Sequence, residues 1–151
     1  MREDRVATLS GLRAIQPAGP PKASVHVASR NTDKRPAILL VDDAIDALEA
    51  WALLLRMEGF EVVTATSGLD AWHKAQQSPP ALVITDLMMP GMNGLALCRA
   101  LRADSRLEFI PIILWTAATI SVGEPVFDRF LVKPVLLDTL LEHIRVLLVR
   151  P

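Results

Sequence analysis

Cysteine is nearly absent from this chain: Cys98 stands alone and cannot close an internal disulfide, which excludes a disulfide-stapled scaffold and fits a reducing compartment. Histidine is scarce as well. His26, His73 and His143 are scattered, so with a single thiol the chain has no spacing that suggests a zinc site or a phosphohistidine. Neither sign of charge dominates, since 16 basic residues face 17 acidic ones for a net charge of −1. Nothing global therefore points to nucleic acid or to an anionic membrane. No apolar run reaches the ~18 residues that crossing a bilayer requires, and the amino terminus lacks the apolar stretch of a secretory signal. These absences predict a soluble, cytoplasmic protein with no membrane association and no direct contact with nucleic acid.

What the chain does have is apolar content, 51% of 151 residues, enough for one domain with a core and too little length for two of ordinary size. Residues 1–36 read differently from the rest, with Pro17, Pro20, Pro21 and Pro36 and no sustained apolar period. They predict a flexible N-terminal extension, solvated or a weak docking arm, and a domain over 37–151. From Ala37 onward, apolar runs of strand length alternate with segments of helical period, the pattern of a parallel sheet with crossover helices. Strands are expected at 37–41, 61–63, 81–85, 110–115 and 129–132, and helices at 45–58, 68–77, 95–103 and 135–149. The last helix reaches almost to the final residue, which leaves no room for an output domain and predicts a stand-alone protein.

The chemistry gathers where these strands end. Ile38-Leu39-Leu40-Val41 runs into Asp42 and Asp43, Ala81-Leu82-Val83-Ile84-Thr85 into Asp86, Ile110 to Trp115 into Thr116, and Phe130-Leu131-Val132 into Lys133-Pro134. Right-handed crossovers point all parallel strands one way, so these residues converge on one edge of the sheet. Three carboxylates brought together repel one another, and a cation relieves them. Magnesium suits a set of hard oxygen ligands, and manganese is able to substitute. A carboxylate can attack phosphorus to form an acyl phosphate. In that reading Asp86 is the nucleophile, Thr116 donates its hydroxyl to a phosphoryl oxygen, and Lys133 pairs with Asp86 before transfer and with the phosphoryl group after it. An isolated Asp before a turn is ordinarily a cap or turn former, and Asp42 and Asp43 could instead cap the first helix, with Asp43 able to do both jobs. It is the constellation that argues for a site. Trp51, Trp72 and Trp115 read as packing residues, because no basic aromatic stripe surrounds them.

These motifs resemble the receiver domain of two-component response regulators, the CheY type. The resemblance rests on Val41-Asp42-Asp43, the block Asp86-Leu87-Met88-Met89-Pro90-Gly91-Met92-Asn93-Gly94, Thr116-Ala117 and Lys133-Pro134, in order and on the expected elements, and covers about residues 37 to 149. It implies an α/β fold of three layers, doubly wound, with a five-stranded parallel sheet in the order 2-1-3-4-5. It implies phosphotransfer onto Asp86 from a histidine kinase or a phosphotransfer protein, and a switched surface read by an unidentified downstream protein. By the same resemblance magnesium is held by Asp43, Asp86 and the backbone carbonyl of Met88, with Asp42 acting mainly through water. Lys133-Pro134 is then a cis peptide, and Thr116 with the aromatic ring of Phe130 forms the switch. Phe130 has no hydroxyl to draw it toward solvent and is expected inward.

One stretch departs from the family. Thr116 and Lys133 are separated by only sixteen residues, and Ala118-Thr119-Ile120-Ser121-Val122-Gly123-Glu124-Pro125 is rich in β-branched residues, Gly and Pro. The family's fourth helix is therefore expected to be absent or reduced, so that the chain would signal through another surface or through an order change in 118–128; the plainer alternative is a shortened loop with no special role. Three rivals remain in view. A phosphorylation-independent adaptor would keep the fold and a fixed surface. A haloacid-dehalogenase-like phosphatase would need its two acids spaced by two, and here they are adjacent. A flavodoxin-like flavin binder would need a hydroxyl-rich loop after the first strand.

Overall fold

The central strand, β1 (Ala37–Val41), is apolar at every position because both of its faces are covered; Ile38, Leu39, Leu40 and Val41 are all buried. Four more strands complete the sheet: β2 (Glu61–Ala65), β3 (Leu82–Asp86), β4 (Ile112–Thr116) and β5 (Arg129–Val132). All neighbours are parallel, in the order β2-β1-β3-β4-β5. The computed structural model describes residues 34–117, 123 and 126–149. All of these except Lys34 belong to a unit that begins at Arg35.

Four helices are present among the described residues: α1 (Ile45–Met57), α2 (Gly68–Gln77), α3 (Gly94–Ala103) and α4 (Leu137–Leu148). The pleat sends alternate residues of each strand to opposite faces, and two cores result. On one face Ile38, Leu40, Ile84, Ile113 and Trp115 meet α1 and α4 through Leu48, Leu55, Leu140 and Ile144. On the other, Leu39, Val41, Val83, Ile112 and Leu114 meet α2 and α3 through Ala71, Ala75, Leu97 and Leu101. The expected three-layer, doubly wound fold and its 2-1-3-4-5 order are both observed.

Local chemistry sets the ends of these elements. Glycine closes α1: Gly59 has φ +99°, its N–H donates to Arg56 and that of Phe60 reaches back to Leu55, which satisfies carbonyls the helix leaves open. Ser67 caps α2 by accepting from the Asp70 N–H at 3.1 Å, and Asn93 caps α3 by accepting from Ala96 at 2.9 Å. β1 and β5 fall where the sequence places them, and the limits of the other three strands differ from the expectation by one or two residues. Pro111 has no N–H to give a ladder, and the Ile110 N–H is spent on Leu107 in a turn, so β4 starts at Ile112. At the other end Asp86 pairs with Trp115 and Thr116 with Val132, which draws both residues into the last position of their strands. The expected loss of the fourth family helix falls mainly on 118–122 and 124–125, outside the described residues; Ala117, Gly123 and 126–128 are not helical. The expected flexible extension over 1–36 likewise lies outside them as far as residue 33.

Candidate phosphoacceptor site

At the carboxyl edge of the sheet, carboxylate oxygens of Asp42, Asp43 and Asp86 lie within 4.8 Å of one another. Burial differs sharply among them. Asp42 is 2% exposed and Asp86 7%, whereas Asp43 is exposed. The ladder builds the cluster: the Asp42 N–H donates to Ala65 of β2, and the Leu87 N–H donates to Trp115 of β4, which fixes the chain on either side of Asp86. Asp42 also turns Oδ1 back to accept from the Ala44 N–H at 2.9 Å. The cap position of α1 is Ala44, with no side-chain cap bond, so Asp43 does not cap this helix. Asp42 instead closes a local turn with the Ala44 N–H just ahead of the helix, and the Asp43 carboxylate lies in the cluster.

Lys133 arrives from β5. Its backbone N–H donates to Thr116 at 2.8 Å, and its ammonium reaches Asp42 Oδ2 at 3.0 Å and Asp86 Oδ1 at 3.6 Å. The peptide bond that follows, Lys133-Pro134, is cis. Burial raises the Asp86 carboxyl above its ordinary value of 3.8, the Lys133 ammonium pulls it down, and the neighbouring Asp42 and Asp43 add to the rise. One ammonium thus fails to offset burial and two like charges. A small, hard divalent cation fits this donor set, since three carboxylates offer oxygens at close range and no His or Cys ligand joins them among the described residues.

The remaining predicted residues take the following places. Thr116 ends β4, 1% exposed, on the strand next to that of Asp86. Met88 is 62% exposed in the loop after β3, two residues past Asp86. Phe130 is paired with Leu114, so it shares a sheet face with Thr116; its partly buried ring rests on the α2/α3 core, 5.8 Å from the ring of Phe127. Gly91, at φ +73°, turns the loop back toward α3, and the Gly94 N–H donates to Leu87, which ties the helix start to the end of β3.

Sequence reasoning placed Trp115 in the core and missed its second contact. The indole is 1% exposed, yet its ring lies under the Lys133 ammonium at 5.2 Å. A signal existed. Trp115 is in register with Leu131, and Lys133 follows Leu131 by two, so period-two alternation puts both side chains on one face.

A doubly wound parallel sheet carrying three acids and a lysine at its carboxyl edge is a CheY-like phosphoacceptor architecture. The family model of the response regulator receiver domain matches residues 38–145, and the chain belongs to that family. Among curated relatives, the DNA-binding response regulator MtrA of Mycobacterium tuberculosis is 40% identical over 105 residues, which is 66% of this chain and 45% of that protein. The transcriptional regulatory protein PrrA of the same organism is 35% identical over 121 residues, 76% of this chain and 51% of its own. The chain thus spans about half the length of the curated relatives it matches. Solved receivers are matched almost whole. The Vibrio cholerae chemotaxis protein CheY4 has a TM-score of 0.68 at 32% identity, with 76% of this chain and 99% of that one covered. The Thermotoga maritima response regulator TrrA, solved in complex with Mg(2+)-BeF, has a TM-score of 0.68 at 32% identity, with 74% and 98% covered. No described helix is long and apolar enough to cross a membrane.

Proposed function

We propose that residues 37–151 act as a phosphorylation switch, with residues 1–36 as an extension to it, and that Asp86 accepts the phosphoryl group. The observation that carries this reading is the ammonium of Lys133 between Asp42 at 3.0 Å and Asp86 at 3.6 Å, beside a third carboxylate. An Asp86 oxygen attacks phosphorus, a P–O bond forms, and the bond from phosphorus to the donor's leaving group breaks. Lys133 then exchanges Asp86 for a phosphoryl oxygen, and the Thr116 hydroxyl donates to another. Asp43, Asp86 and the Met88 carbonyl would hold magnesium, or manganese in its place, with Asp42 acting through water. Bound there, the metal supplies positive charge to the transferring oxygens.

The donor is a histidine kinase or phosphotransfer protein, in line with the family. Phe130, on the face it shares with Thr116, carries the change toward a downstream protein surface. The chain's own chemistry is limited to accepting and slowly losing the group, so it acts as a switch rather than a turnover enzyme.

Intact mass after incubation with magnesium and acetyl phosphate tests the proposal. Wild type should gain one phosphoryl group with metal and none without it, and Asp86→Asn should gain none. If a folded, magnesium-binding wild type stays at its starting mass with acetyl phosphate and with phosphorylated kinases, a phosphorylation-independent adaptor becomes the better reading.

A further inference from the structure

We propose that Trp115 is a positioning residue for Lys133: the face of its indole holds the ammonium over the acidic edge independently of the carboxylates. The inference rests on the receiver reading of the site. Among the described residues Lys133 meets Asp42 at 3.0 Å, Asp86 at 3.6 Å and the Trp115 ring at 5.2 Å from its centroid, the last within the range of a cation–π contact. The lysine side chain is 29% exposed while Trp115 is 1% exposed, so the contact is partly desolvated. The ring itself is held in place. Trp51 of α1 packs against it at 5.3 Å with planes tilted by 59°, and Trp115 is sealed among Ile113, Leu140 and Ile144 in the α1/α4 core.

Two features separate this role from plain packing. The indole Nε1 is buried without a hydrogen-bond partner among the described residues, which costs stability. Leucine, methionine or phenylalanine would fill a buried strand position without that cost, so packing alone is a poor account of tryptophan here. The second feature is what happens to the lysine's other neighbours. Asp42 and Asp86 belong to the set a divalent cation would share, and Asp86 is the group that changes on phosphorylation, so both ion pairs weaken as the site fills. The ring face carries no charge to be shared or consumed. It keeps the ammonium at the mouth of the site while its carboxylate partners are lost, ready to meet a phosphoryl oxygen without a new search for the rotamer.

Fluorination of the indole withdraws the electron density a cation sees while leaving shape nearly unchanged, and so separates the two roles. Site-specific replacement of Trp115 by mono-, di- and trifluorotryptophan should lower the affinity for beryllofluoride with magnesium stepwise, about fivefold over the series, because the ring carries more of the ammonium's contact once the metal shares the carboxylates; the metal-free melting temperature, where Asp42 and Asp86 still hold the ammonium, should fall only slightly. Trp115→Phe should keep more of that affinity than Trp115→Leu. In the metal-free protein, ring-current shielding should move the Lys133 ε-methylene protons upfield, and Trp115→Leu should abolish the shift. Beryllofluoride affinity that stays at the wild-type value across the fluorinated series overturns the positioning role and leaves the receiver reading intact. An unshielded Lys133 overturns it as well. A wild type that takes up neither beryllofluoride nor a phosphoryl group overturns both.

Discussion

Arg102 Nη2 meets Asp128 Oδ2 at 2.9 Å, at the edge of the sheet opposite the acidic cluster, and the same oxygen accepts the Ile112 N–H at 2.8 Å. Arg102 spends Nη1 on the carbonyls of Glu108 and Ile110 as well. One guanidinium thus joins the end of α3, the loop after it, the start of β4 and the approach to β5. Asp128→Ala should destabilise the fold by about 2–3 kcal/mol, because it strands a partly buried cation and a backbone donor together. Asp128→Asn, which keeps an acceptor for Ile112, should recover about half of that. Urea denaturation measures both; a loss under about 0.5 kcal/mol for the alanine variant would mean that β5 is held by the ladder alone.

Asp86 is held at a stability cost. Its carboxyl has an ordinary value of 3.8 when unfolded and a higher one in the fold, raised first by burial. The folded state therefore holds that proton more tightly, so its favourable contribution is full below 3.8 and is lost as pH rises through the folded value. In metal-free buffer at pH 7, Asp86→Asn should be more stable than wild type by about 1 kcal/mol, with Lys133 still paired to Asp42. The gap should close as pH falls below 3.8. Equal melting temperatures at pH 7 would show that Lys133 fully offsets the burial of Asp86.

Strand-level features were legible because burial and chemistry coincide in this sequence. A strand covered on both faces must be apolar throughout, so Ile38–Val41 and Leu82–Ile84 announce themselves, and the polar residue that ends each run marks the functional edge. What stayed hidden depends on register and on the third dimension. Asp86 and Thr116 were placed beyond their strands, but pairing with Trp115 and Val132 continues the ladder through them. Arg102 and Asp128, separated by 26 positions, carry no local signal of their meeting. Nor does the sequence decide between Asp42 and Asp43 as the residue that bonds ahead of the first helix; it is Asp42, through the Ala44 N–H.

Cys98 should be inert in the native protein. It is fully buried on the α2/α3 core, and burial pushes its thiol up to about 12, with nearby Arg102 and Arg99 pulling it down only in part. A disulfide reagent at pH 8 should therefore find almost no thiolate and react only through opening of the fold. Release of chromophore should be at least a hundredfold slower than in 8 M urea, where one equivalent should react promptly. Rapid reaction without denaturant would mean that α3 opens locally with little cost.

Gly94 links the fold to the acceptor. It begins α3, and a Cβ there would collide with the carbonyl oxygen of Asp86 and approach Leu87 Cα and Leu114 Cδ1 at 2.9 Å each. Two of those three atoms are backbone, so no side-chain rotation relieves the clash. Alanine is ordinarily worth up to about 1 kcal/mol over glycine in a helix, but overpacking against fixed backbone costs about 3 kcal/mol, and the second effect wins. Gly94→Ala should lower stability by the difference, about 2 kcal/mol. It should also slow phosphorylation of Asp86 at 10 °C, where most of the variant remains folded, because the helix can move only by pushing on the acceptor's own peptide. Gly59→Ala, at the far end of the sheet's carboxyl-to-amino span and with open space around its Cβ, should cost stability through its positive φ alone. Comparable loss of stability in both variants, with slower phosphorylation in Gly94→Ala only, would tie the rate to the geometry of Asp86. Equal rates in the two would show that the acceptor tolerates displacement of α3.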